Sequence, residues 1–392
     1  MSRGEGREAK GVTYLDHNAI TPMRPEAKAA VVAALDVYGN PASVHAAGRA
    51  ARDLLDRARA QVARALGAQP SDIVLTSGAT ESAALAIRGV LGAAPPGRGG
   101  LVVTAVEHQC VLSLAEALRA QGANVTVVPV DRRGLPDLGA LRAAITERTA
   151  LVCAMLANNE TGVLLPVAEI AAAARDRGAL LFTDATQAVG KVDVDVRTFG
   201  ADLLALTGQK LGGPRGAGAL WVKGGVRLAP VFGGTQERGR RAGTENLPGI
   251  AGLGAAVEAA LARHAEEEPR IRALRDRLEA GLVSTLPEAR VNGAGAPRLP
   301  GTLSITIPGV DAETLLIALD LEGLCASAGS ACHSGSTKPS AVLAAMGLSV
   351  EEARGTLRLS LGWSSTAEDV TRALEVVPRL ARQVRMALPA TG

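Results

Sequence analysis

The sequence predicts an α/β fold, with a large domain built on a mainly parallel sheet and a smaller α+β domain at the C-terminal end. Between about residues 45 and 225, helical patterns alternate with short runs that are continuously apolar. Strands buried on both faces of a parallel sheet have this pattern, whereas half-exposed strands alternate apolar and polar residues. From residue 248 to 286 the pattern becomes one long helix, and a mixture of strand and helix follows it.

The apolar runs of the first part are the strand candidates of the large domain. They cover residues 73–76, 101–104, 125–128, 150–155, 180–183, 203–206 and 219–222. Helical periodicity between them predicts helices such as 47–66, 112–121 and 167–177. In the smaller unit we expect a strand at 303–307, a helix from Ala312 and a C-terminal helix from Thr366.

The domain boundary is predicted inside the long helical segment, near residue 265. Residues 14–265 would then form the large α/β domain and residues 266–392 the small α+β domain, which the N-terminal segment 1–13 is expected to join. Stretches rich in Pro and Gly at 93–100 and 293–301 predict surface loops. The small residues of 325–338 predict a mobile loop.

Composition and charge exclude several classes of protein. The 392 residues include 42 Lys+Arg and 39 Asp+Glu, interleaved along the chain, which argues against a nucleic-acid or anionic-membrane surface. The first residues are polar and charged, and no apolar run is long enough to cross a bilayer. Four cysteines do not make a disulfide framework in a chain of this length. We therefore expect a soluble, cytoplasmic protein without a metal site.

Ligands of α/β sheets bind beyond the carboxyl ends of the strands, so the residues that follow each strand are the candidates for function. Ser77-Gly-Ala-Thr-Glu81 follows the first strand and opens a helix, whose N–H groups and positive dipole end would bind an anion together with Thr80. An ordinary helix N-cap is the alternative. Asp184 follows another strand, and a carboxylate there needs a cationic partner, either in the protein or on a ligand such as a protonated pyridine.

A lysine follows a third strand and completes the set. Only six residues of the chain are lysine, and Lys210 alone follows a predicted core strand and precedes a glycine-rich turn. A solvated loop lysine is the alternative. An amine, a carboxylate and an anion site on neighbouring strands are what pyridoxal phosphate needs, because the amine bonds the cofactor, the acid keeps the ring nitrogen protonated and the donors hold the phosphate.

With these residues in view, the chain resembles the cysteine desulfurases of the nitrogen-fixation and iron–sulfur-cluster type. These belong to the class V aminotransferase-like, fold type I pyridoxal-phosphate enzymes. The resemblance extends from Tyr14-Leu-Asp-His-Asn-Ala to the C-terminal helix, and its motifs occur in the family's order. They are Gly39-Asn-Pro-Ala-Ser43, Thr76-Ser-Gly-Ala-Thr-Glu81, Glu107-His108, Asn158-Asn-Glu-Thr-Gly162, Asp184-Ala-Thr-Gln187, Gly208-Gln-Lys210, Arg241-Ala-Gly-Thr244, Gly329-Ser-Ala-Cys332 and Arg358-Leu-Ser-Leu-Gly362.

The resemblance implies a role for each residue around the cofactor ring. Lys210 would bond the cofactor covalently and later move the Cα proton of the substrate. Asp184 would pair with the ring nitrogen, and Gln187 would bond the ring hydroxyl. His108 would stack on one face of the ring and shuttle protons, while Ala185 would pack on the other face.

The resemblance also implies the residues that bind the phosphate and the substrate. Asn159 and Arg358 would hold the substrate carboxylate, a task that suits the fork of an arginine. Gln209 stands where the family commonly has His, and its amide can donate to a phosphate without adding positive charge. The remaining phosphate ligands would be Ala79, Thr80, Thr207 and, from the partner subunit of a homodimer, Thr244.

Cys332 is the residue that would turn a pyridoxal-phosphate enzyme into a sulfur-transfer enzyme. It lies among Ser, Gly and Ala, which offer little apolar surface to bury a thiol, and a mobile loop suits a thiolate that must reach both substrate and acceptor. For Cys110, Cys153 and Cys325 we expect buried structural positions.

The predicted function is a homodimeric cysteine desulfurase that converts L-cysteine to L-alanine and forms a persulfide on Cys332. The persulfide would pass to an acceptor protein such as an iron–sulfur scaffold or a thiolation protein. Two alternatives stay open from the sequence: a selenocysteine lyase or other class V pyridoxal-phosphate enzyme, and a non-catalytic sulfur carrier or assembly partner that keeps only the fold.

Overall fold

The computed structural model describes residues 11–328 and 340–387 of the chain. Within them the strands form a seven-stranded sheet, a four-stranded sheet and a two-stranded pair. The strands are β1 (Thr13–Tyr14), β2 (Ile73–Thr76), β3 (Gly100–Thr104), β4 (Val125–Val128), β5 (Thr149–Cys153), β6 (Leu180–Asp184), β7 (Leu203–Thr207), β8 (Gly218–Val222), β9 (Arg290–Val291), β10 (Thr302–Thr306), β11 (Leu324–Cys325), β12 (Ser327–Ala328) and β13 (Thr356–Ser360).

Helices flank the sheets and connect their strands. Short 3₁₀ turns occur at Pro70–Asp72, Gly208–Lys210 and Gln236–Gly239. The helices are α1 (Pro25–Ala34), α2 (Ala46–Ala65), α3 (Ala79–Ala93), α4 (Gln109–Ala120), α5 (Leu138–Ala144), α6 (Val167–Asp176), α7 (Val196–Phe199), α8 (Leu247–Thr285), α9 (Ala312–Leu321), α10 (Ala341–Ala345), α11 (Val350–Arg354) and α12 (Ala367–Ala387).

The seven-stranded sheet has the order β2-β8-β7-β6-β5-β3-β4. Strands β4, β3, β5, β6 and β7 run parallel to one another, and β8 runs antiparallel to both β7 and β2. The predicted mainly parallel sheet is therefore confirmed. All of its strands except the antiparallel β8 point their carboxyl ends at one edge, where the sequence placed the candidate residues.

Burial on both faces explains why these strands are continuously apolar. Successive strand residues point to opposite faces, so Val102 packs into one core while Leu101 and Val103 pack into another on the far side of the sheet. Leu204 and Leu203 of β7 divide in the same way. Helices cover both faces of the sheet, so neither face is exposed to solvent and the strand sequences do not alternate apolar and polar residues.

Helix α8 belongs to two cores. Its first part contributes residues such as Leu253 and Val257 to a core on the large sheet. Its second part contributes Ile271 and Leu278 to a separate core under the four-stranded sheet. The change falls between Val257 and Ile271 and supports the domain boundary near residue 265, which stays a prediction.

The smaller unit is an antiparallel sheet of order β12-β13-β10-β9, packed on the second half of α8 and on α9 and α12. The predicted small α+β unit is thus present. Near the N-terminus, β1 pairs parallel with β11, and Leu15 packs in the same core. In residues 11–328 and 340–387, no helix is both long enough and apolar enough to span a membrane.

Candidate active site

A cleft of about 500 Å³ opens at the edge where the parallel strands end. The structure brings most of the predicted site residues into this cleft, although they come from distant parts of the chain. Other residues of its wall include Asn18, Glu81, Cys110 and Met155. The predicted residues that line it are Ala79, Thr80, His108, Asn159, Asp184, Gln187, Thr207, Gln209, Lys210 and Arg358.

Two predicted residues lie outside the cleft, and a third is not among the described residues. Ala185 is fully buried directly after β6, next to Asp184. Thr244 is exposed and borders a different pocket of the same chain. Cys332, together with most of the predicted loop 325–338, lies outside the described residues. The proposed roles of all three therefore stay predictions.

One end of the cleft is built to receive an anion. Helix α3 begins at Ala79, its N-cap Gly78 has no side chain to bond the first N–H groups, and such groups have no partner inside the helix. A Cβ on Gly218 of β8 would lie 2.6 Å from the Cα of Gly78, so glycine at this strand position lets the turn lie against the sheet. Thr207, the last residue of β7, lines the same end.

An ion pair fixes the first turn of α3. Glu81 accepts a hydrogen bond from the backbone N–H of Ser77 at 2.6 Å and pairs with Arg241 at 2.7 Å. Burial raises the pKa of Glu81, but the hydrogen bonds from Arg241 and Ser77 outweigh it, so that the pKa is lowered from its ordinary value. The carboxylate is thus held as an anion by Arg241.

Two carboxyl groups interact at the cleft wall, and Asp184 is the one that lines the cleft. Asp184 ends β6, is 5% exposed and accepts a hydrogen bond from the backbone N–H of Thr186 at 2.9 Å. Behind it, Glu107 is 1% exposed, and burial together with the charge of Asp184 raises its pKa to about 7, although hydrogen bonds from Thr104 and Met155 oppose the rise. Asp184 is therefore the carboxylate of the two that faces the cleft.

His108 is the N-cap of α4, and its ring accepts a hydrogen bond from the backbone N–H of Cys110 at Nδ1, over 3.2 Å. Because a backbone N–H can only donate, a neutral His108 carries its proton on Nε2. The Sγ of Cys110 lies 3.0 Å from the same nitrogen.

The described cysteines differ in burial. The expectation of a buried structural position is wrong for Cys110, which is half-buried and lines the cleft, and for Cys325, which is also half-buried. Cys153 is buried in β5, as expected.

Lys210 lies on the 3₁₀ turn after β7, and its Nζ donates to the backbone carbonyls of Asn18, at 2.8 Å, and Ala19. The side-chain amide of Gln187 donates to the same Asn18 carbonyl at 2.9 Å. A second lysine, Lys191, donates to Oε1 of Gln187 at 2.6 Å and to Oδ1 of Asn18 at 3.1 Å. Sequence analysis gave no role to Asn18 or Lys191, although both lie in or next to recognised motifs.

Arg358 forms the opposite side of the cleft, on β13 of the small sheet. Its side chain is almost fully buried, and its guanidinium pairs with Asp16 at 2.8 Å and donates to the backbone carbonyl of Asn159 at 3.1 Å. Its Nε is buried without a partner among the described residues. Asp16 is a further residue that sequence analysis missed, because 342 positions separate it from Arg358.

These residues can be compared with those of known proteins. The model of the aminotransferase class-V family matches residues 13–373. The chain belongs to the aminotransferase class-V family. The predicted resemblance to this family is therefore confirmed, over nearly the whole length of the chain.

Individual relatives of this class V chain are cysteine desulfurases. "Cysteine desulfurase 2" of Trichormus variabilis is 44% identical over 380 residues, which cover 96% of this chain and 95% of the relative. The solved structure of a NifS-like protein is 32% identical with a TM-score of 0.89, covering 95% of this chain and 100% of that one. The structure of SspA in complex with cysteine is 34% identical with a TM-score of 0.79, covering 89% and 98%. These likenesses confirm the fold type I architecture.

The class V family implies pyridoxal phosphate as the cofactor, and the residues of the cleft fit it. The cleft offers a lysine amine, a buried carboxylate at Asp184 and an uncapped helix N-terminus at Gly78, which match the aldehyde, the ring nitrogen and the phosphate. Gln187 and His108 line the same cleft. The donor set is therefore complementary to the whole cofactor and not to its phosphate alone.

Proposed function

We propose that the protein is a pyridoxal-phosphate-dependent cysteine desulfurase that converts L-cysteine to L-alanine and leaves the sulfur as a persulfide on Cys332. The observation that carries the proposal is the cleft itself. Lys210, Asp184 and the N-terminus of α3 line one part of it, and Arg358 lines another. The names of the 39–45% identical relatives support the same activity.

In this proposal the residues on the large sheet hold the cofactor. Asp184 would hold the proton of the ring nitrogen, and Gln187 would donate to the ring hydroxyl. His108 would stack on one face, with Ala185 packed behind the other. The bound cofactor supplies an electron sink for the carbanion that forms next to the amino group. The phosphate ligands would be Ala79, Thr80, Thr207 and Gln209.

Arg358 of the small sheet and Asn159, which comes after β5 of the large sheet, would bind the substrate. A carboxylate is a good ligand for a buried arginine, because it accepts two parallel hydrogen bonds from the guanidinium fork. Arg358 is already oriented by Asp16 and by the carbonyl of Asn159, so little of its side-chain entropy remains to be lost on binding. Asn159 lines the cleft beside it and would donate to the same carboxylate.

Lys210 would take the proton from Cα of the substrate and return one to Cβ, with His108 as a second proton carrier. The thiolate of Cys332 would attack the substrate sulfur. The C–S bond breaks, an S–S bond forms, the substrate carbon is reduced to the methyl group of L-alanine and the sulfur is oxidised to the sulfane level. Cysteine and one enzyme thiol thus give alanine and one enzyme persulfide, without an external oxidant.

We also propose an oligomeric state, a persulfide acceptor and a cellular location for this enzyme. Thr244 is exposed and outside the cleft of its own chain, which suits a ligand that reaches the phosphate of a partner subunit in a homodimer. The persulfide acceptor would be an iron–sulfur scaffold or a thiolation protein. We propose a cytoplasmic location, which is consistent with the composition of the chain.

The function is tested by turnover and by mapping the bound lysine. The purified protein should release L-alanine from L-cysteine, and borohydride reduction should fix the cofactor on the peptide that contains Lys210. Lys210→Ala should lose the reducible linkage, whereas Lys223→Ala, on the surface pair with Asp202, should keep it. An adduct on another lysine, or turnover of selenocysteine without turnover of cysteine, would contradict the proposal.

A further inference from the structure

Asn18 occupies a place in the cleft wall that the proposed mechanism does not use. It follows β1, is 2% exposed and bonds parts of both units. Its backbone N–H donates to Oγ of Ser360 at 2.9 Å, and its side-chain Nδ2 donates to Oγ1 of Thr302 at 2.9 Å. These two residues are partners in the pairing of β13 with β10. Asn18 is therefore anchored on the sheet that carries Arg358.

The same side chain also reaches the large-sheet side of the cleft. Its Nδ2 donates to the backbone carbonyl of Asn159 at 3.2 Å, and its Oδ1 accepts from Nζ of Lys191 at 3.1 Å. The orientation of the amide follows, because a backbone carbonyl can only accept and so must face the nitrogen. Thr302 and Asn159 then use both N–H groups of Nδ2. A buried amide whose donors are all bonded holds its partners in fixed positions.

The carbonyl of Asn159 links Asn18 to Arg358. It accepts from Nδ2 of Asn18 and, at 3.1 Å, from Nη1 of Arg358. A carbonyl oxygen has two lone pairs, so these two donors complete its capacity. Asp16 accepts from Nη2 of the same guanidinium, while its Nε is buried without a partner among the described residues. Asn18 thus fixes one of the two groups that orient Arg358.

We propose that Asn18 is a positioning residue for the α-carboxylate of the amino-acid substrate, and that it acts by holding the Asn159 carbonyl against Arg358. Without this bond the guanidinium has a weaker hold on one of its two partners, and the Asn159 side chain moves with its backbone. The carboxylate depends on both, because two parallel hydrogen bonds to an arginine require a fixed plane. The inference rests on the proposed function, in which Arg358 and Asn159 bind this carboxylate.

The test compares two ligands of the holoenzyme that differ only in the carboxylate. L-Alanine carries an amine and a carboxylate, and ethylamine is the same molecule without the carboxylate. The absorbance of the bound cofactor gives the dissociation constant of each. Asn18→Ala removes the whole amide, whereas Asn18→Asp keeps its size and the acceptor for Lys191 but cannot donate to the Asn159 carbonyl.

Asn292→Ala is the matched control. Asn292 is also a buried asparagine, 7% exposed, and its Nδ2 donates to the hydroxyl groups of Ser304 at 3.1 Å and Thr306 at 3.0 Å. In the described part of the chain, neither hydroxyl is bonded to Asn159 or Arg358. The control therefore removes comparable bonds on the same small sheet without breaking those of the carboxylate site.

We expect the dissociation constant of L-alanine to rise about 3- to 10-fold in Asn18→Ala, which is the effect of losing one hydrogen bond. It should rise at least as much in Asn18→Asp, in which an oxygen faces the Asn159 carbonyl. The dissociation constant of ethylamine should stay unchanged in both, and Asn292→Ala should change neither ligand. With L-cysteine as substrate, KM should rise by the same factor while kcat stays, because the carboxylate is held equally throughout the reaction.

A purely structural role predicts a different result. Equal weakening of both ligands, or unchanged binding of L-alanine in whichever Asn18 variant folds, would overturn the inference. Weakening of L-alanine binding by Asn292→Ala to the same degree would overturn it as well.

Arg358→Lys separates this failure from that of the proposed function. If Arg358→Lys weakens the binding of L-alanine and the Asn18 variants do not, the inference about Asn18 alone fails. If Arg358→Lys leaves the binding of L-alanine unchanged, the carboxylate site of the proposed function fails, and the role of Asn18 fails with it.

Discussion

Glu107 allows the electrostatics of the site to be tested without the cofactor. Its carboxyl group is 1% exposed, and Oε1 accepts hydrogen bonds from Thr104 at 2.6 Å and from the backbone N–H of Met155 at 2.7 Å. Its Oε2 is buried and has no partner among the described residues. Burial raises the pKa of Glu107 from 4.5 to about 7. Replacement by glutamine keeps the shape and the Oε1 acceptor but cannot ionise.

The sign of the pH effect follows from the raised pKa. Below the unfolded value of 4.5 the carboxyl is neutral in both states, and its contribution to stability is complete. As the pH rises from 4.5 towards about 7, the unfolded chain gains from ionisation while the buried group does not, so that stability is lost. Above about 7 the loss levels off, because the folded group ionises as well. Between pH 5 and pH 8 this loss amounts to about 2.5 kcal/mol in the wild type and is absent from Glu107→Gln.

The assay is urea unfolding of the apoprotein at pH 5, 6, 7 and 8. The free energy of unfolding of Glu107→Gln minus that of the wild type should rise by about 2.5 kcal/mol across this range. Glu116→Gln is the control, since Glu116 is exposed on α4 in an ion pair with Arg119, and its difference should stay within about 0.5 kcal/mol. A flat difference for Glu107→Gln would refute the buried, neutral carboxyl behind Asp184.

Two further changes test the substrate side and the joint between the two units. Arg358→Lys should raise KM for L-cysteine about 10- to 100-fold, because lysine lacks the guanidinium fork that can bind a carboxylate with two hydrogen bonds. Arg354→Lys, at an exposed position, should leave KM unchanged. An unchanged KM in Arg358→Lys would contradict the proposed carboxylate site. Arg24→Met should lower the free energy of unfolding by about 3–5 kcal/mol, because it leaves Glu267 buried without its two hydrogen bonds. In the same urea experiment Arg64→Met, which breaks an exposed pair, should cost less than about 1 kcal/mol, and equal costs would contradict this account.

Local pattern was enough to predict the large sheet. The strand predicted at 73–76 is observed at Ile73–Thr76, and that at 303–307 begins one residue earlier, at Thr302. The run predicted at 150–155 extends too far, because Ala154 and Met155 are buried after β5 has ended. The apolar character of a run reflects the burial of its residues, whereas a strand ends where its hydrogen bonds to the neighbouring strands end. The two ends therefore need not coincide. Two-residue strands such as Thr13–Tyr14 offer no periodicity to detect.

Without the family resemblance, local pattern pointed to a site residue only where one strand end supplies it by itself. Asp184 is the last residue of β6 and Lys210 lies on the turn after β7, and the rarity of lysine drew attention to the second. Asp16 and Asn18 act through distant partners, Arg358 at 342 positions and Lys210 at 192 positions. Lys191 has a polar context that is typical of a surface turn, and only the folded chain brings it back to Gln187. Contacts of this range depend on the fold and not on any local pattern.

The proposed activity depends on a single thiol, and its direct measurement is sulfur bound to protein after one turnover. The holoenzyme is incubated with one equivalent of L-cysteine, alanine is quantified, and intact peptides are searched for an added sulfur atom. We expect one alanine per subunit and a persulfide on Cys332. Cys110→Ser should keep both, and Cys332→Ser should bind the cofactor yet form neither. Alanine formation by Cys332→Ser at the wild-type rate, or a persulfide on Cys110 in the wild type, would contradict the account.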